Sequence, residues 1–162
     1  MATPVTDKPP APDQNVWTLN CDGSAFPNPG HMGLGSVLVA PDGTRHTLSE
    51  PAAGKGCNNE AEALAMMAAL HEAKRLGAEC VRVYSDSRVV VDQLTVKEAQ
   101  PIARLDALFT ELRALLAGFS TSTVKWIPQH RNSEADALAR AAAGLQARPT
   151  ATTGRTKRRR KM

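Results

Sequence analysis

The order of apolar runs and helical patterns is the feature that most limits how this chain can fold. Three β-like runs come first, at 16–22, 33–40 and 44–49, and the pattern then changes to helix, strand, helix, helix, strand, helix. Strands joined by short turns pair antiparallel, whereas strands separated by helices pair parallel through crossovers. The order therefore predicts an α/β fold: a mixed five-stranded sheet, an antiparallel meander and then parallel strands, with helices on both faces.

The second half of the chain supplies the crossover elements. An Ala-, Leu- and Met-rich helix is followed by Gly77, which suits a helix end, and a later amphipathic helix between Pro101 and Gly118 carries leucines on one face. The remaining predicted boundaries are helices at 59–76, 87–94 and 133–145 and strands at 81–85 and 124–127.

Length and composition fit a single domain. With 162 residues and 42% hydrophobic residues, the chain can form one ordinary core. We predict a disordered Pro-rich leader at 1–15, a folded domain at 16–146 and a disordered basic tail at 147–162. No apolar run reaches the length of a membrane span, no secretory signal is visible, and three cysteines show no pairing pattern. A monomeric, cytoplasmic protein is expected.

The positive charge is concentrated at one end. Six Lys and Arg residues lie within 155–161, so the net charge of +4 leaves −2 for all other residues. A cluster of this kind suits contact with a polyanion, and an alternative is a tail that serves only solubility or localisation.

Two Asp-Gly pairs have different surroundings. Asp-Gly favours a turn, and the segment PDGT around Asp42 lies between two predicted strands, so we predict an exposed hairpin turn there. Asp22, in the stretch NCDGSAFPNPG, instead follows an apolar run directly. It could be a turn residue or part of a site at the end of the strand.

Four acids lie where predicted elements begin or end. They are Asp22, Glu62, Asp86 and Asp136. Each has a structural alternative, because two occupy capping-box positions and Asp86 could cap a helix. If the fold brings them together, each close pair repels by about 4 kcal/mol, so the cluster needs cations. Oxygen ligands favour Mg²⁺, with Mn²⁺ as a substitute, and two such ions support attack on a phosphodiester.

Four short motifs carry a family resemblance. They are DGS with NPG (22–30), NNEAE (58–62), YSDS (84–87) and NSEADALA (132–139), in that order. The chain thereby resembles a type 1 ribonuclease H (ribonuclease HI) over about residues 16–145. The resemblance implies a ribonuclease H-like fold and two-metal-ion hydrolysis of the RNA strand of RNA·DNA hybrids, leaving 5′-phosphate and 3′-hydroxyl ends.

The resemblance also assigns roles. It implies that Asp22 bridges two ions, with Asp86 also central, while Glu62 completes the shell of one ion and Asp136 that of the other. Glu60 and Glu134 are not expected in the site. The residues expected to contact the substrate are small residues beside the acids: Gly23, Ser24, Asn28, Asn58, Asn59, Ser87 and Asn132. The amides Asn28, Asn58 and Asn59 could instead be turn and cap residues.

Departures from the family pattern leave alternatives open. The basic, Trp-rich protrusion is missing, since 95–101 leads straight into the next helix. The loop that holds His130 is short, so this residue either assists proton transfer or product release or is a plain loop residue. Arg88 stands where many relatives have an amide. A related nuclease acting on double-stranded RNA or other duplexes, or a non-catalytic hybrid-binding module, is the alternative.

Overall fold

The computed structural model describes residues 15–146 and residue 148. Nearly all of the predicted leader, and the basic run at 155–161, therefore lie outside the described residues, and the predicted domain limits stay predictions. Within the described part of the chain, no helix is both long enough and apolar enough to cross a membrane.

Five strands form one sheet in the order β3-β2-β1-β4-β5. Strands β1, β2 and β3 pair antiparallel, and β4 pairs parallel with both β1 and β5. The mixed sheet predicted from the element order is thus confirmed. The strands are β1 (Val16–Phe26), β2 (Gly30–Val39), β3 (Arg45–Gly56), β4 (Cys80–Ser85) and β5 (Thr121–Trp126).

Strand β1 is longer than predicted, and this places the first acid. Its pairing with β4 ends at Cys21 opposite Ser85, but its pairing with β2 continues to Phe26 opposite His31. Asp22 is therefore not at the end of a strand. It lies at the point where β4 leaves the sheet, which opens one side of β1.

Strand β3 also exceeds its predicted limit at residue 49, and it passes through Pro51. Proline has no N–H for a sheet hydrogen bond, so it is tolerated mainly at edges and irregularities. Here β3 is an edge strand, and Pro51 lies opposite Gly33 beside a shift of register. The turn between β2 and β3 is as predicted: Asp42 is exposed, and its Oδ1 accepts a 2.9 Å hydrogen bond from the Thr44 N–H.

The described part of the chain contains four α-helices, which join or follow the strands. They are α1 (Asn58–Arg75), α2 (Arg88–Thr95), α3 (Asp106–Ala117) and α4 (Ser133–Ala142), with 3₁₀ turns at Ala103–Leu105 and Gln129–Arg131. Gly77 follows α1 with a φ of 95°, as its predicted role requires. Helix α4 ends before the predicted residue 145, because Gly144 adopts a φ of 84° and the Leu145 N–H returns to the Arg140 carbonyl at 2.7 Å.

Helices cover both faces of the sheet, as predicted. On one face, α1 and α3 bury a core that includes Met66, Leu70 and Phe109 against Leu19 and Val83. On the other face lies α4.

Two glycines of β2 allow α4 to approach the sheet closely. A Cβ added to Gly33 or Gly35 would lie 2.2 or 2.4 Å from backbone atoms of Ala139. The helix therefore rests directly on the strand backbone, which brings Asp136 close to β1.

Candidate active site

Three of the four acids meet at the divergence of β1 and β4. Asp22 is on β1, Glu62 on the second turn of α1, and Asp86 directly after β4. One carboxylate oxygen from each lies within 4.8 Å of the other two. Asp22 is only 4% exposed. Three carboxylates from three different elements thus share one small volume.

Gly23 fixes the distance between β1 and α1. A Cβ at this position would be 2.1 Å from the carbonyl carbon of Ala61, so only glycine fits. The Gly23 N–H donates a 3.2 Å hydrogen bond to Glu62 Oε1. Strand β1 therefore orients Glu62. The alternative role predicted for Glu62, in a capping box at the start of α1, does not apply, because α1 has no side-chain cap. Helix α1 fills the space that the missing side chain leaves, and Gly23 also lines the acid pocket, so its predicted substrate contact stays a prediction.

The Asp86 side chain does not cap helix α2, although its position in the sequence allowed that role. Ser87 caps α2 instead, since its Oγ accepts a 3.2 Å hydrogen bond from the Val90 N–H. The backbone carbonyl of Asp86 accepts a 3.1 Å hydrogen bond from Trp126 Nε1. The Arg88 guanidinium stacks on the same indole, 4.1 Å from its ring centroid. The carboxylate is left to face the other acids.

Asp136 joins the cluster from the opposite face of the sheet. It lies in the first turn of α4, is 4% exposed, and accepts a 2.9 Å ion-pair hydrogen bond from Arg148 Nε. Glu134, two residues earlier, is exposed and pairs with Arg45 on β3. The expectation that Glu134 points away from the site is met.

Burial and mutual repulsion govern the charge of this cluster. Burial raises the pKa of Asp22, and the charges of Glu62 and Asp86 raise it further. The pKa of Glu62 is also raised, by burial first and then by Asp86. Burial raises the pKa of Asp86, although the Asn132 amide opposes the shift by donating to the carboxylate. Asp22 and Glu62 therefore bind protons more strongly than isolated carboxylates do, unless a cation neutralises them.

The donor set fits a hard divalent cation. The described residues bring together carboxylate oxygens only, from Asp22, Glu62 and Asp86, with the Asp136 carboxylate beside Asp22. Mg²⁺ and Mn²⁺ prefer oxygen ligands of this kind, whereas zinc sites usually contain Cys or His. These residues could thus hold the metal ions implied by their charge.

Two asparagines tie the hairpin before β2 to the start of α1. Asn28 Oδ1 accepts from the Asn58 N–H at 3.0 Å, and Asn58 Oδ1 accepts from the Ala25 N–H at 2.8 Å. Their amide NH₂ groups are donors that these two bonds do not use. Both turn-and-cap and substrate-contact roles are thus compatible with the geometry. Ser24 lines the acid pocket beside them, and Asn59 is half-buried.

Asn132 is a buried side chain. It is 2% exposed, and its Nδ2 donates to the Cys21 carbonyl at 2.9 Å and to Asp86 Oδ2 at 3.3 Å. Its Oδ1 accepts from Asn20 Nδ2 at 3.3 Å. Asn132 thus joins α4, β1 and Asp86, and its predicted contact with substrate stays a prediction.

His130 does not line the acid pocket. It is exposed in the 3₁₀ turn and borders a neighbouring depression with Arg45 and Arg131, whereas the adjacent Gln129 does line the acid pocket. Its role in proton transfer or product release stays a prediction.

The acid pocket has a volume of about 320 Å³ and includes residues that the sequence did not single out. These are Phe26, Gln129, Arg140, Leu145 and Arg148. Phe26 is a surface aromatic, 55% exposed, at the rim. The arginines come from the end of α4 and from beyond it. Arginines near the end of a helix are common, so no local sequence pattern identifies these two as residues that line the pocket.

Comparison with known proteins gives consistent relatives. The family model described as reverse transcriptase-like matches residues 20–142. A bifunctional protein of Mycobacterium tuberculosis is 34% identical over 122 residues, which are 75% of this chain and 34% of that protein. The chain thus spans about a third of the length of this curated relative.

Solved structures agree with the sequence matches. The crystal structure of RNase H1 from the archaeon Halobacterium salinarum matches with a TM-score of 0.75 and 32% identity, over 80% of this chain and 98% of that one. The crystal structure of LC11-RNase H1 in complex with an RNA/DNA hybrid matches with a TM-score of 0.70 and 27% identity, over 79% and 96%.

Proposed function

This chain belongs to the reverse transcriptase-like family and is a ribonuclease HI-like protein, and on that premise we propose that it is an endoribonuclease that hydrolyses the RNA strand of RNA·DNA hybrids. The products would carry 5′-phosphate and 3′-hydroxyl ends. The single observation that carries the proposal is the convergence of Asp22, Glu62 and Asp86 within 4.8 Å, with Asp136 beside them. The hybrid bound by the LC11 relative supports the choice of substrate.

The metal ions of the proposal are two Mg²⁺, with Mn²⁺ as a substitute. Asp22, Asp86 and Glu62 would hold one ion, and Asp22 with Asp136 the other. When bound, such a pair supplies an activated water and stabilises the leaving 3′ oxygen, so no protein nucleophile is needed. The buried acids are arranged for this task, since their own repulsion already favours cation binding.

The protein's own residues hold the acids in place. The Gly23 N–H orients Glu62, and Asn132 together with Trp126 fixes the position of Asp86. Asn58 lines the pocket, Asn28 is bonded to the Asn58 N–H, and Asn59 follows Asn58 in α1. Amide groups of this kind can donate to and accept from a 2′-hydroxyl. We propose these three residues, with Ser24 and Ser87, as the residues that distinguish the RNA strand. Gly23 and Asn132 would act indirectly, by positioning acids.

The basic run at 155–161 would add sequence-independent contacts to the hybrid backbone. It is the largest concentration of positive charge in the sequence, and phosphate contacts usually dominate non-specific affinity. We propose further that the protein acts as a monomer in the cytoplasm. The unpaired state of Cys21, Cys57 and Cys80 supports a reducing compartment.

A cleavage assay tests the proposal. An end-labelled RNA·DNA hybrid is incubated with the full chain and Mg²⁺, with and without EDTA, beside the Asp86→Asn variant. Single-stranded RNA and double-stranded RNA serve as substrate controls. We expect cleavage of the hybrid's RNA only, abolished by EDTA and by the substitution. Cleavage by Asp86→Asn, or none by the intact chain, would overturn the proposal, and equal cleavage of double-stranded RNA would favour the alternative nuclease.

A further inference from the structure

One cation of the chain itself already lies inside the acid pocket. Arg148 Nε is 2.9 Å from Asp136 Oδ2, and the Arg148 side chain lines the same pocket as Asp22, Glu62 and Asp86. About half of the arginine is exposed, whereas the carboxylate that it contacts is almost fully buried. The arginine thus approaches the acids from the solvent side of the pocket.

The end of helix α4 brings this arginine to the acids. Gly144 adopts a positive φ, the Leu145 N–H bonds back to the Arg140 carbonyl, and Arg140 Nε donates to the Gln146 carbonyl at 2.7 Å. These bonds end the helix at a defined point, and the Arg148 side chain contacts Asp136 in the first turn of the same helix. Leu145 lines the pocket as well. The placement of Arg148 therefore depends on a defined helix end.

Arg148 and a metal ion would both bind the Asp136 carboxylate, whose Oδ2 Arg148 already contacts. A buried carboxylate requires a cation or a proton, and Arg148 meets this requirement for Asp136 in the metal-free protein. Its positive charge also lowers the pKa of Asp86, although burial and the Asn132 donor act more strongly on that group. A divalent ion that binds Asp136 has to compete with the guanidinium for a carboxylate of limited access.

We infer that Arg148 is a resident counter-ion of Asp136 that a divalent ion displaces, and that it thereby sets the affinity of the Asp136 side of the metal site. The inference rests on the proposed function only in taking Asp136 as a metal ligand. It predicts two unequal ion affinities, the weaker one at the Asp136 side. Removing Arg148 tightens binding of the weaker ion by about two- to fivefold, the range expected for loss of a partly exposed ion pair.

Metal binding without nucleic acid tests this directly. The full chain is titrated with Mg²⁺ by calorimetry and with Mn²⁺ by electron paramagnetic resonance, as wild type, Arg148→Gln and Arg148→Lys. Arg88→Gln is the matched control, because it also removes one positive charge near Asp86, but from a guanidinium stacked on Trp126. We expect Arg148→Gln alone to tighten the weaker ion. The lysine variant keeps the charge and should stay close to wild type.

A second readout follows the arginine itself. In the NMR spectrum of the metal-free chain, the Arg148 Nε–H signal should be shifted and slow to exchange, and Mg²⁺ should move it to the position of a free guanidinium. An unchanged signal at saturating Mg²⁺ would overturn the inference. So would a weaker-ion affinity that is unchanged in Arg148→Gln, or that rises equally in Arg88→Gln.

The failure of this inference is distinguishable from failure of the proposed function. A wild-type chain that binds Mg²⁺ and cleaves the hybrid, with no effect of Arg148→Gln on ion affinity, would overturn the inference alone. A chain that binds no divalent ion would overturn both.

Discussion

Asn132 donates a hydrogen bond from its buried amide to the Asp86 carboxylate, although the two residues are 46 positions apart in sequence. The same Nδ2 also bonds to the Cys21 carbonyl, next to Asp22. One side chain at the start of α4 therefore sets the position of Asp22 on β1 relative to Asp86, which directly follows β4.

We expect Asn132→Ala to impair both stability and catalysis. The substitution leaves buried polar groups without partners, which costs about 1–3 kcal/mol and lowers the melting temperature by about 3–10 °C. It should also lower kcat, because Asp86 loses its orienting donor. Asn20→Ala is the control: it removes a bond to Asn132 Oδ1 but keeps the bond to Asp86. Equal kcat values for the two variants, with both folded, would contradict a positioning role.

Trp126 offers a second way to test the orientation of Asp86. Trp126→Phe removes the Nε1–H donor to the Asp86 carbonyl and keeps an aromatic ring under Arg88. Loss of one hydrogen bond of about 0.5–1.5 kcal/mol should reduce kcat by about two- to tenfold at similar KM. Trp126→Ala also removes the ring on which Arg88 stacks, so a rise in KM in this variant alone would indicate that Arg88 contacts the hybrid. Steady-state kinetics on the hybrid separate these effects, and a Phe variant identical to wild type would rule out the role of the indole donor.

Glu134 and Asp136 form a matched pair for testing which acid of α4 acts. Asp136 is buried beside Asp22, whereas Glu134 is exposed and paired with Arg45. Asp136→Asn should reduce kcat by about 10²-fold or more, since several kcal/mol of metal-dependent stabilisation depend on it. Glu134→Gln should keep kcat within about twofold. Cleavage assays at saturating Mg²⁺ measure both, and similar losses in the two variants would contradict the assignment.

Much of the fold was predictable because its signals are local. The switch from strand to helix patterns gave the correct element order and sheet type. Strand ends were less predictable, since polar and proline residues continued β1 and β3 where pairing with β2 supplied the hydrogen bonds. A sequence pattern carries no information on how far a neighbouring strand extends.

In the site, too, the sequence identified the residues that stand in local motifs but not the contacts that depend on tertiary packing. The four acids stand in short motifs that the sequence shows directly, and the structure brings them together. The buried position of Asn132 and the contact of Arg148 with Asp136 depend on how α4 packs on the sheet and how it ends. Neither residue type nor spacing indicates such a contact.

The basic run at 155–161 should govern the salt dependence of hybrid binding. If all six cations contacted phosphates, deleting the run would reduce the slope of log K against log salt by about 5, at roughly 0.9 per contact. Binding of the hybrid is measured from low to moderate salt by fluorescence anisotropy, with Ca²⁺ in place of Mg²⁺ to prevent cleavage. A variant with the six cations replaced by Gln is the control for length. An unchanged slope would exclude this role.

The repulsion among the acids predicts how stability changes with pH. Burial and neighbouring charges raise the pKa values of Asp22 and Glu62 in the folded, metal-free protein above those of an unfolded chain, which lie near 4. In the pH range above about 4 and below the raised values, the folded state binds more protons. Its free energy of unfolding then falls by up to about 1.4 kcal/mol per pH unit for each such proton.

Metal-free protein should therefore melt at lower temperature at pH 8 than at pH 5.5, and saturating Mg²⁺ should raise the melting temperature more at the higher pH. Ion binding requires ionised acids and therefore displaces the protons that they hold, and this displacement is easier at pH 8 than at pH 5.5. Calorimetric melting with EDTA or Mg²⁺ at several pH values measures both trends. Asp22→Asn, which removes the carboxylate whose pKa is raised furthest by burial and neighbouring charge, should flatten the metal-free trend and reduce the Mg²⁺ effect. A metal-free melting temperature that rises over this range would contradict the repulsion on which the proposed metal site depends.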